Sequence, residues 1–457
     1  MSAQKKSRNY TIDMCEGSIL SKLLLFALPL IASSVLQLFF NAADVIVVGK
    51  FAGDHALAAV GSNGSIINLL VNVFMGLSVG ANVLVARFFA AKQESELRKT
   101  VHTAMSVSVL CGFFVAVMGA LAAKQVLMLM QSPPEVIELS TLYLRIYFLG
   151  MPATMAYNFG AAILRGVGDT KRPLYYLTLS GVVNVILNLI FVVIFHMSVA
   201  GVALATIISQ YISAFLVIRC LKNEESGIRL EKQYLGIDKK ILLRILQIGL
   251  PAGVQGSLFS LSNVVIQSSV NSFGATIVAG NSAAQNIEGF VYVAMNAFSQ
   301  AVVAFVSQNL GAGKYERINR VVIMAQACVL AVGLILGNGV YLFGEPLLHL
   351  YSDSEAVIAA GLKRLSIISV TYALCGMMDS MVGALRGLGY SVMPMIVSLL
   401  GACAFRMAWI FVFFQIDRFH TIGTVYYAYP ISWTLTLCVH IICFLIVRRK
   451  MKKKWGV

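Results

Sequence analysis

Apolar runs long enough to cross a bilayer follow one another along almost the whole chain, separated by short polar or basic tracts. A spanning helix needs about 20 mainly apolar residues. That window predicts spans at 20–47, 57–86, 99–123, 136–160, 170–195 and 199–221, a polar linker at 222–240, and a second set at 241–270, 276–308, 318–344, 356–383, 391–415 and 422–447. The expected fold is an all-α polytopic membrane protein of about twelve transmembrane helices. The polar, basic stretch before the first run, and the length of that run, predict a first span and not a cleaved leader.

The two sets of spans repeat each other. Leu28-Pro29 returns as Leu250-Pro251, and VARFFAAKQESELRKTV (85–101) as VSQNLGAGKYERINRVV (306–322). LRGVGDTKRPL (164–174) returns as LRGLGYSVMPM (385–395), with Leu-Arg-Gly, the second Gly and the Pro in register. All three recur at an offset of about 221 residues. An even number of spans per repeat gives both halves the same orientation, hence two pseudo-symmetric six-helix lobes with a pathway between them. The predicted organisation is a cytoplasmic tail 1–18, an N-lobe 19–221, a cytoplasmic linker 222–240, a C-lobe 241–447 and a basic cytoplasmic tail 448–457.

Charge fixes the orientation. With the N-terminus inside, most Lys and Arg fall on the cytoplasmic side: Arg87 to Lys99, Lys171 and Arg172, residues 222–244, Lys314 to Arg320, and Arg448 to Lys454. The opposite side holds little beyond Lys50, Lys124 and Arg418. Both termini are therefore expected in the cytoplasm. The net charge of +15 reflects this bias and not a nucleic-acid partner. Composition agrees with a membrane chain, at 58% hydrophobic and only 12% charged residues, where a soluble domain carries about 25% charge. The eight Cys are scattered through apolar stretches without metal-ligand spacing, and read as packing residues.

Ionisable groups at membrane depth are costly, so the few present are the candidate chemistry. Asp44 lies deep in the first span, with Asn41 and Gln37 on the same helical face. A carboxylate with amide neighbours binds a cation or carries a proton, or else anchors neighbouring helices by hydrogen bonds. Asn184 and Asn188 stand four residues apart in the fifth span and Thr206 follows in the sixth. Their oxygens suit a hard cation such as Na⁺ and complete a site with Asp44, or else serve as interhelical glue. Glu288 shares a face with Gln285 in an unusually polar eighth span. Asn263 and Gln267, also four residues apart, line a pathway in the seventh span, or pack there. Asp379 and Arg406 are expected to pair with each other or with Glu288, as structural ion pairs or as transport groups, and Arg145 is open between the same two roles. No nucleotide-binding P-loop, H-E-x-x-H, channel filter or nucleophile with its base is found, so an enzyme, an ATP-driven pump and a channel are not predicted.

The Leu-Pro pairs, the N-x-x-D at Asn41–Asp44, the Gly-Ala-Gly-Lys turn at 311–314 and the twice-used L-R-G-x-G element resemble the multidrug and toxic compound extrusion (MATE) family over about residues 18–447. The resemblance implies a bacterial inner-membrane exporter of small cationic or amphipathic organic compounds, driven by inward H⁺ or Na⁺, monomeric and without a cofactor. It implies that Asp44 couples ion to substrate, and that Asn184, Asn188 and Thr206 complete the cation site, as metal ligands if the ion is Na⁺. Two positions depart from the family pattern. Asn188 stands where members with the best-defined site have Asp, and Phe259 stands near a position where some carry Glu. Glu288 is the acid that would substitute. Gln37, Asn41, Asn263, Gln267, Gln285, Glu288, Asp379 and Arg406 are the expected substrate cavity. The membrane acids are not duplicated, since Asp44 aligns near Ile266 and Glu288 near Ile67. The rival reading is a lipid-linked oligosaccharide flippase of the same superfamily.

Overall fold

The computed structural model describes residues 10–129 and 134–455, so residues 1–9 of the expected N-terminal tail and 456–457 of the C-terminal tail lie outside it. Among the described residues there is no strand. The first half runs α1 (Ile19–Phe51), α2 (Asp54–Ala90), α3 (Glu94–Leu129), α4 (Pro134–Leu149), α5 (Met151–Gly166), α6 (Lys171–Asn188) continued by a π-helical segment Leu189–Ile194, and α7 (Ser198–Lys222). The second half runs α8 (Lys239–Asn271), α9 (Ala275–Gly311), α10 (Tyr315–Leu342), the short α11 (Gly344–His349) and α12 (Glu355–Gly387). It closes with α13 (Val392–Ser398), a π segment Leu399–Ala404, α14 (Phe405–Val412) and α15 (Ile422–Trp455).

Among the described residues, eleven helical stretches are long and apolar enough to cross a membrane. The span expected at 136–160 is instead a pair of sixteen-residue helices, α4 and α5, parted at Gly150. Pro152 explains the break, because it has no N–H to donate and its ring crowds the carbonyl four residues back. The corresponding helix of the second half, α12, has Ala373 at the matching position and runs unbroken for 33 residues. Lipid is the solvent for the outer faces. On α3, Leu110, Phe113, Phe114, Val117 and Leu121 are exposed while Gly112, Val115 and Ala116 are buried. That inverts the soluble pattern and keeps small residues for helix contacts.

The chain forms two compact units, one of residues 1–13 and 32–250, the other of 14–31 and 251–457. Compared with a division at the 222–240 linker, the units exchange the first part of α1 and of α8. The divisions fall beside Pro29 and Pro251, where a helix lacks an N–H and bends most easily. In unit 1, α5 packs against α2, α3 and α7. In unit 2, α12 packs against α9, α10 and α15. The linker folds back on unit 1, burying Ile228 and Leu230, with the Glu231 N–H donated to His102 Nε2 (3.0 Å) and the Asp238 N–H to Thr103 Oγ1 (3.0 Å).

Helix ends explain the repeated motifs. Gln93 N–H bonds the Phe88 carbonyl (3.0 Å) and Lys314 N–H the Asn309 carbonyl (2.9 Å); Asp169 N–H bonds Leu164 (2.9 Å) and Tyr390 N–H bonds Leu385 (2.9 Å). Each is the six-to-one bond of a Schellman cap, which needs a left-handed residue just past the helix. Lys92 (φ 55°), Gly313 (70°), Gly168 (96°) and Gly389 (96°) fill those positions. The second glycine of L-R-G-x-G is therefore a backbone requirement, met identically in both halves. The first is a packing requirement: a methyl group at Gly166 would sit 3.1 Å from the Asn82 carbonyl oxygen, and one at Gly387 3.0 Å from that of Val303. After the first motif, Asp169 Oδ1 accepts the N–H groups of Lys171 and Arg172 (3.1 Å each) and caps α6. Arg172 also pairs with the Asp169 carboxylate and with Glu224. Burial pushes the Asp169 carboxyl above the usual carboxylate range, against the pull of Arg172. Exposed Asp238 caps α8, and the Ile241 N–H holds its carboxyl below that range.

Candidate functional site: two polar clusters inside the helix bundle

Unit 1 brings together four polar residues from three helices. Asn188, the last residue of α6, donates from Nδ2 to the half-buried Asp44 carboxylate of α1 and to Asn184 Oδ1 (3.3 Å). Asn184 Nδ2 in turn reaches Thr206 Oγ1 of α7 (3.5 Å), and Thr206 donates to the Val202 carbonyl (2.9 Å). Asn184 and Asn188 are buried. The π segment Leu189–Ile194 starts immediately after Asn188, and such irregularities recur at functional sites. Asn188 Oδ1 is buried without a hydrogen-bond partner among the described residues. An unused amide oxygen beside a carboxylate and a hydroxyl fits a hard cation, which takes oxygen donors. Any such ion would be cargo, not a resident cofactor. Tyr143 and Tyr147 of α4 stack at 6.1 Å near Asp44, and Tyr147 bonds Gln210. Sequence reading missed these three, though two Tyr at i and i+4 in an apolar helix were a visible signal. Gln37 and Asn41 are exposed on α1 and take no part in this hydrogen-bond chain.

Unit 2 holds a longer network. Gln267 Nε2 donates to Asn271 Oδ1 (2.8 Å) and Asn281 Nδ2 to Gln267 Oε1 (3.1 Å). Asn281 Oδ1 accepts from Arg364 Nη1 (2.8 Å) and Tyr426 OH (3.3 Å), and Arg364 Nη2 pairs with Glu288 Oε2 (2.8 Å). Glu288 and Arg364 are 2% and 4% exposed, so this is a buried ion pair. Burying such a pair is repaid best when further contacts support it, and the support is on the arginine side, since Glu288 Oε1 has no hydrogen-bond partner among the described residues. Here the Arg364 guanidinium lies 5.5 Å from the Tyr426 ring and 5.7 Å from that of Tyr429. A cavity of about 430 Å³ opens on the pair, lined also by Asn263, Gln267, Gln285, Tyr292 and Tyr429.

The expected pairing of Glu288 with Asp379 or Arg406 is corrected: its partner is Arg364. Asp379 is bonded by Tyr292, and Arg406 donates to Ser432 Oγ (2.8 Å) with its guanidinium 4.3 Å over Tyr429. Both lie near the cavity wall through Tyr292 and Tyr429, but among the described residues neither forms an ion pair. Arg145 donates to the Ala120 carbonyl (3.3 Å).

A polytopic bundle with a repeated scaffold and buried polar clusters defines a membrane transporter more readily than a catalyst. Comparison with known proteins gives the family. The MatE family model matches residues 29–190 and again 251–412, so the chain belongs to the MatE family. The probable multidrug resistance protein YoeA of Bacillus subtilis is 28% identical over 442 residues, covering 95% of this chain and 93% of that protein. The probable multidrug resistance protein NorM of Thermotoga maritima is 25% identical, with 91% and 90% covered. An FAD transporter of Shewanella oneidensis is 22% identical, with 74% and 75% covered. Among solved structures, a MOP superfamily transporter from Pyrococcus furiosus superposes with a TM-score of 0.90 at 20% identity, with 96% and 98% covered. The crystal structure of MATE in the bent conformation also gives 0.90 at 20% identity, with 97% and 98% covered. These likenesses establish the fold.

Proposed function

We propose that this protein is a secondary active multidrug exporter, moving cationic or amphipathic organic compounds outward against inward H⁺ or Na⁺ by alternating access. The observation that carries the reading is the Asp44–Asn188–Asn184–Thr206 chain, which surrounds a carboxylate with neutral donors and leaves one amide oxygen unused. Ion entry neutralises Asp44 and favours the state that releases substrate outward; departure of the ion restores the charge and the state that loads from the cytoplasm. Ion and substrate shift the equilibrium only through their different affinities for the two states, so they compete or favour opposite ones. The halves 19–221 and 241–447 act as the two lobes of a monomer in the bacterial inner membrane, with both termini and the 222–240 linker cytoplasmic. The unit 2 cavity contributes Gln267, Gln285 and Tyr429 as substrate contacts.

Dye efflux from vesicles with an imposed Na⁺ or pH gradient, one at a time, tests the proposal. Flux that responds to one gradient and not the other names the ion. Flux indifferent to both overturns antiport. A second reading, a carrier of anionic cargo, is favoured by Arg364 on the cavity wall and by the FAD transporter among the relatives. Gradient-driven efflux of FAD but not of cationic dyes would support it. Flipping of a lipid-linked oligosaccharide in the same vesicles would instead support the flippase reading.

A further inference from the structure

We propose that unit 1 carries a site for an anionic phospholipid, in a groove between α3, α7 and the folded-back linker. The groove has a volume of about 500 Å³, within the range of roughly 300–1,000 Å³ for ligand sites. Its walls are apolar: Val109 and Leu110 of α3, Ile218 of α7, and Leu230, Leu235 and Ile237 of the linker. Val109, Leu110, Leu235 and Ile237 are 37–58% exposed, so the surface is open to an occupant.

Two features select the occupant. Lys222 and Lys232 both line the groove, both are exposed, and among the described residues neither side-chain ammonium makes a hydrogen bond or ion pair. Three acids of the same segment are already engaged: Glu224 by Arg172, Glu231 by Gln233 Nε2 (2.8 Å), and Asp238 by the backbone of α8. Glu225 stays exposed. The two walls that rise from the linker are membrane-crossing helices, so a lipid tail lies beside them in any case. Tails are as apolar as the leucines they would touch, and tail burial alone prefers no lipid over another. Selectivity must come from the head group, and two unpaired ammonium groups at the rim fit a phosphodiester with no compensating positive charge.

The test uses the full-length protein and does not depend on the transport reading. Native mass spectrometry after exchange into mixed phosphatidylglycerol and phosphatidylcholine vesicles reads the retained lipid. The wild type should retain phosphatidylglycerol over phosphatidylcholine by roughly tenfold or more, since each near-surface lysine contributes a few-fold. Lys222→Gln with Lys232→Gln, both at exposed sites, should bring the ratio close to one. Gly236→Trp should expel both lipids, because Gly236 lines the groove and an added Cβ there meets nothing within 4 Å. Equal retention of the two lipids by the wild type overturns the site. So does unchanged selectivity in the double variant, or unchanged retention in Gly236→Trp.

Discussion

Asp44 and Glu288 sit in matching halves of one scaffold, yet their surroundings treat a membrane carboxylate in opposite ways. Asp44 bonds Asn188 and, through it, Asn184 and Thr206, all of them neutral. Glu288 is held by a guanidinium that is itself bonded to Asn281 and stacked near two tyrosines. A carboxylate among neutral dipoles is stabilised by any cation that arrives, so its charge state responds to ions. A carboxylate already matched by Arg has no such need and holds a fixed polarity. The backbone beneath is shared down to its helix caps, with left-handed residues at Gly168 and Gly389. Scaffold and chemistry are thus separable in this fold, and six substitutions at four places test the separation.

The largest effect is expected at Asp44. Asp44→Asn keeps the side-chain volume and an acceptor oxygen for Asn188, but removes the charge. Gradient-driven dye efflux should fall by about 100-fold, in line with the loss of an essential charged group, while far-UV circular dichroism stays unchanged. Efflux at the wild-type rate would show that the neutral cluster is only interhelical glue.

Next is the pair in unit 2. Arg364→Met leaves Glu288 buried without its partner, which costs about 3–5 kcal/mol. Thermal unfolding in detergent should show a large drop. Adding Glu288→Gln should recover most of it, because the uncompensated charge is gone. If the double variant is no more stable than the single one, the pair is not what holds this network, and the contrast with Asp44 fails.

Asn188→Asp moves unit 1 in the opposite direction, by adding a second carboxylate next to Asp44. Charge count tunes cation affinity in oxygen sites. The Na⁺ concentration that gives half-maximal efflux should fall by roughly tenfold. No change in Na⁺ dependence would mean that this cluster does not bind Na⁺, leaving the proton as its ion.

Much of the scaffold was legible in the chain, because lipid imposes a length and polarity on each span that a hydropathy window detects. The break before Met151 was not, since one proline hardly alters a twenty-residue average while removing a hydrogen bond. Arg364 escaped for a related reason. It follows exposed Lys363 near the start of α12 and looks like an interfacial basic pair, although the two side chains point to different environments. Spacing within one helix placed Asn184 beside Asn188, but the contact of Asn188 with Asp44 bridges 144 residues. No local pattern encodes such a contact; donor chemistry suggested a shared site with Asp44, and the family resemblance supported it.

The smallest effect concerns the scaffold itself. Lys92 (φ 55°) occupies in the first half the left-handed cap position that Gly313 (φ 70°) occupies in the second. The surrounding bonds match: Lys92 N–H reaches the Phe89 carbonyl at 3.1 Å, and Gly313 N–H reaches that of Leu310 at 3.3 Å. A residue with a Cβ is disfavoured there by about 1–2 kcal/mol. Glycine relieves that strain but gains freedom in the unfolded chain, which offsets roughly 0.5–1 kcal/mol. Lys92→Gly should therefore raise stability by about 0.5–1 kcal/mol, read as a small upward shift in thermal unfolding, whereas Gly313→Ala should lower it by about 1 kcal/mol. If Lys92→Gly instead lowers stability, the lysine side chain contributes something its repeat partner lacks. The two caps would then be equivalent in backbone only.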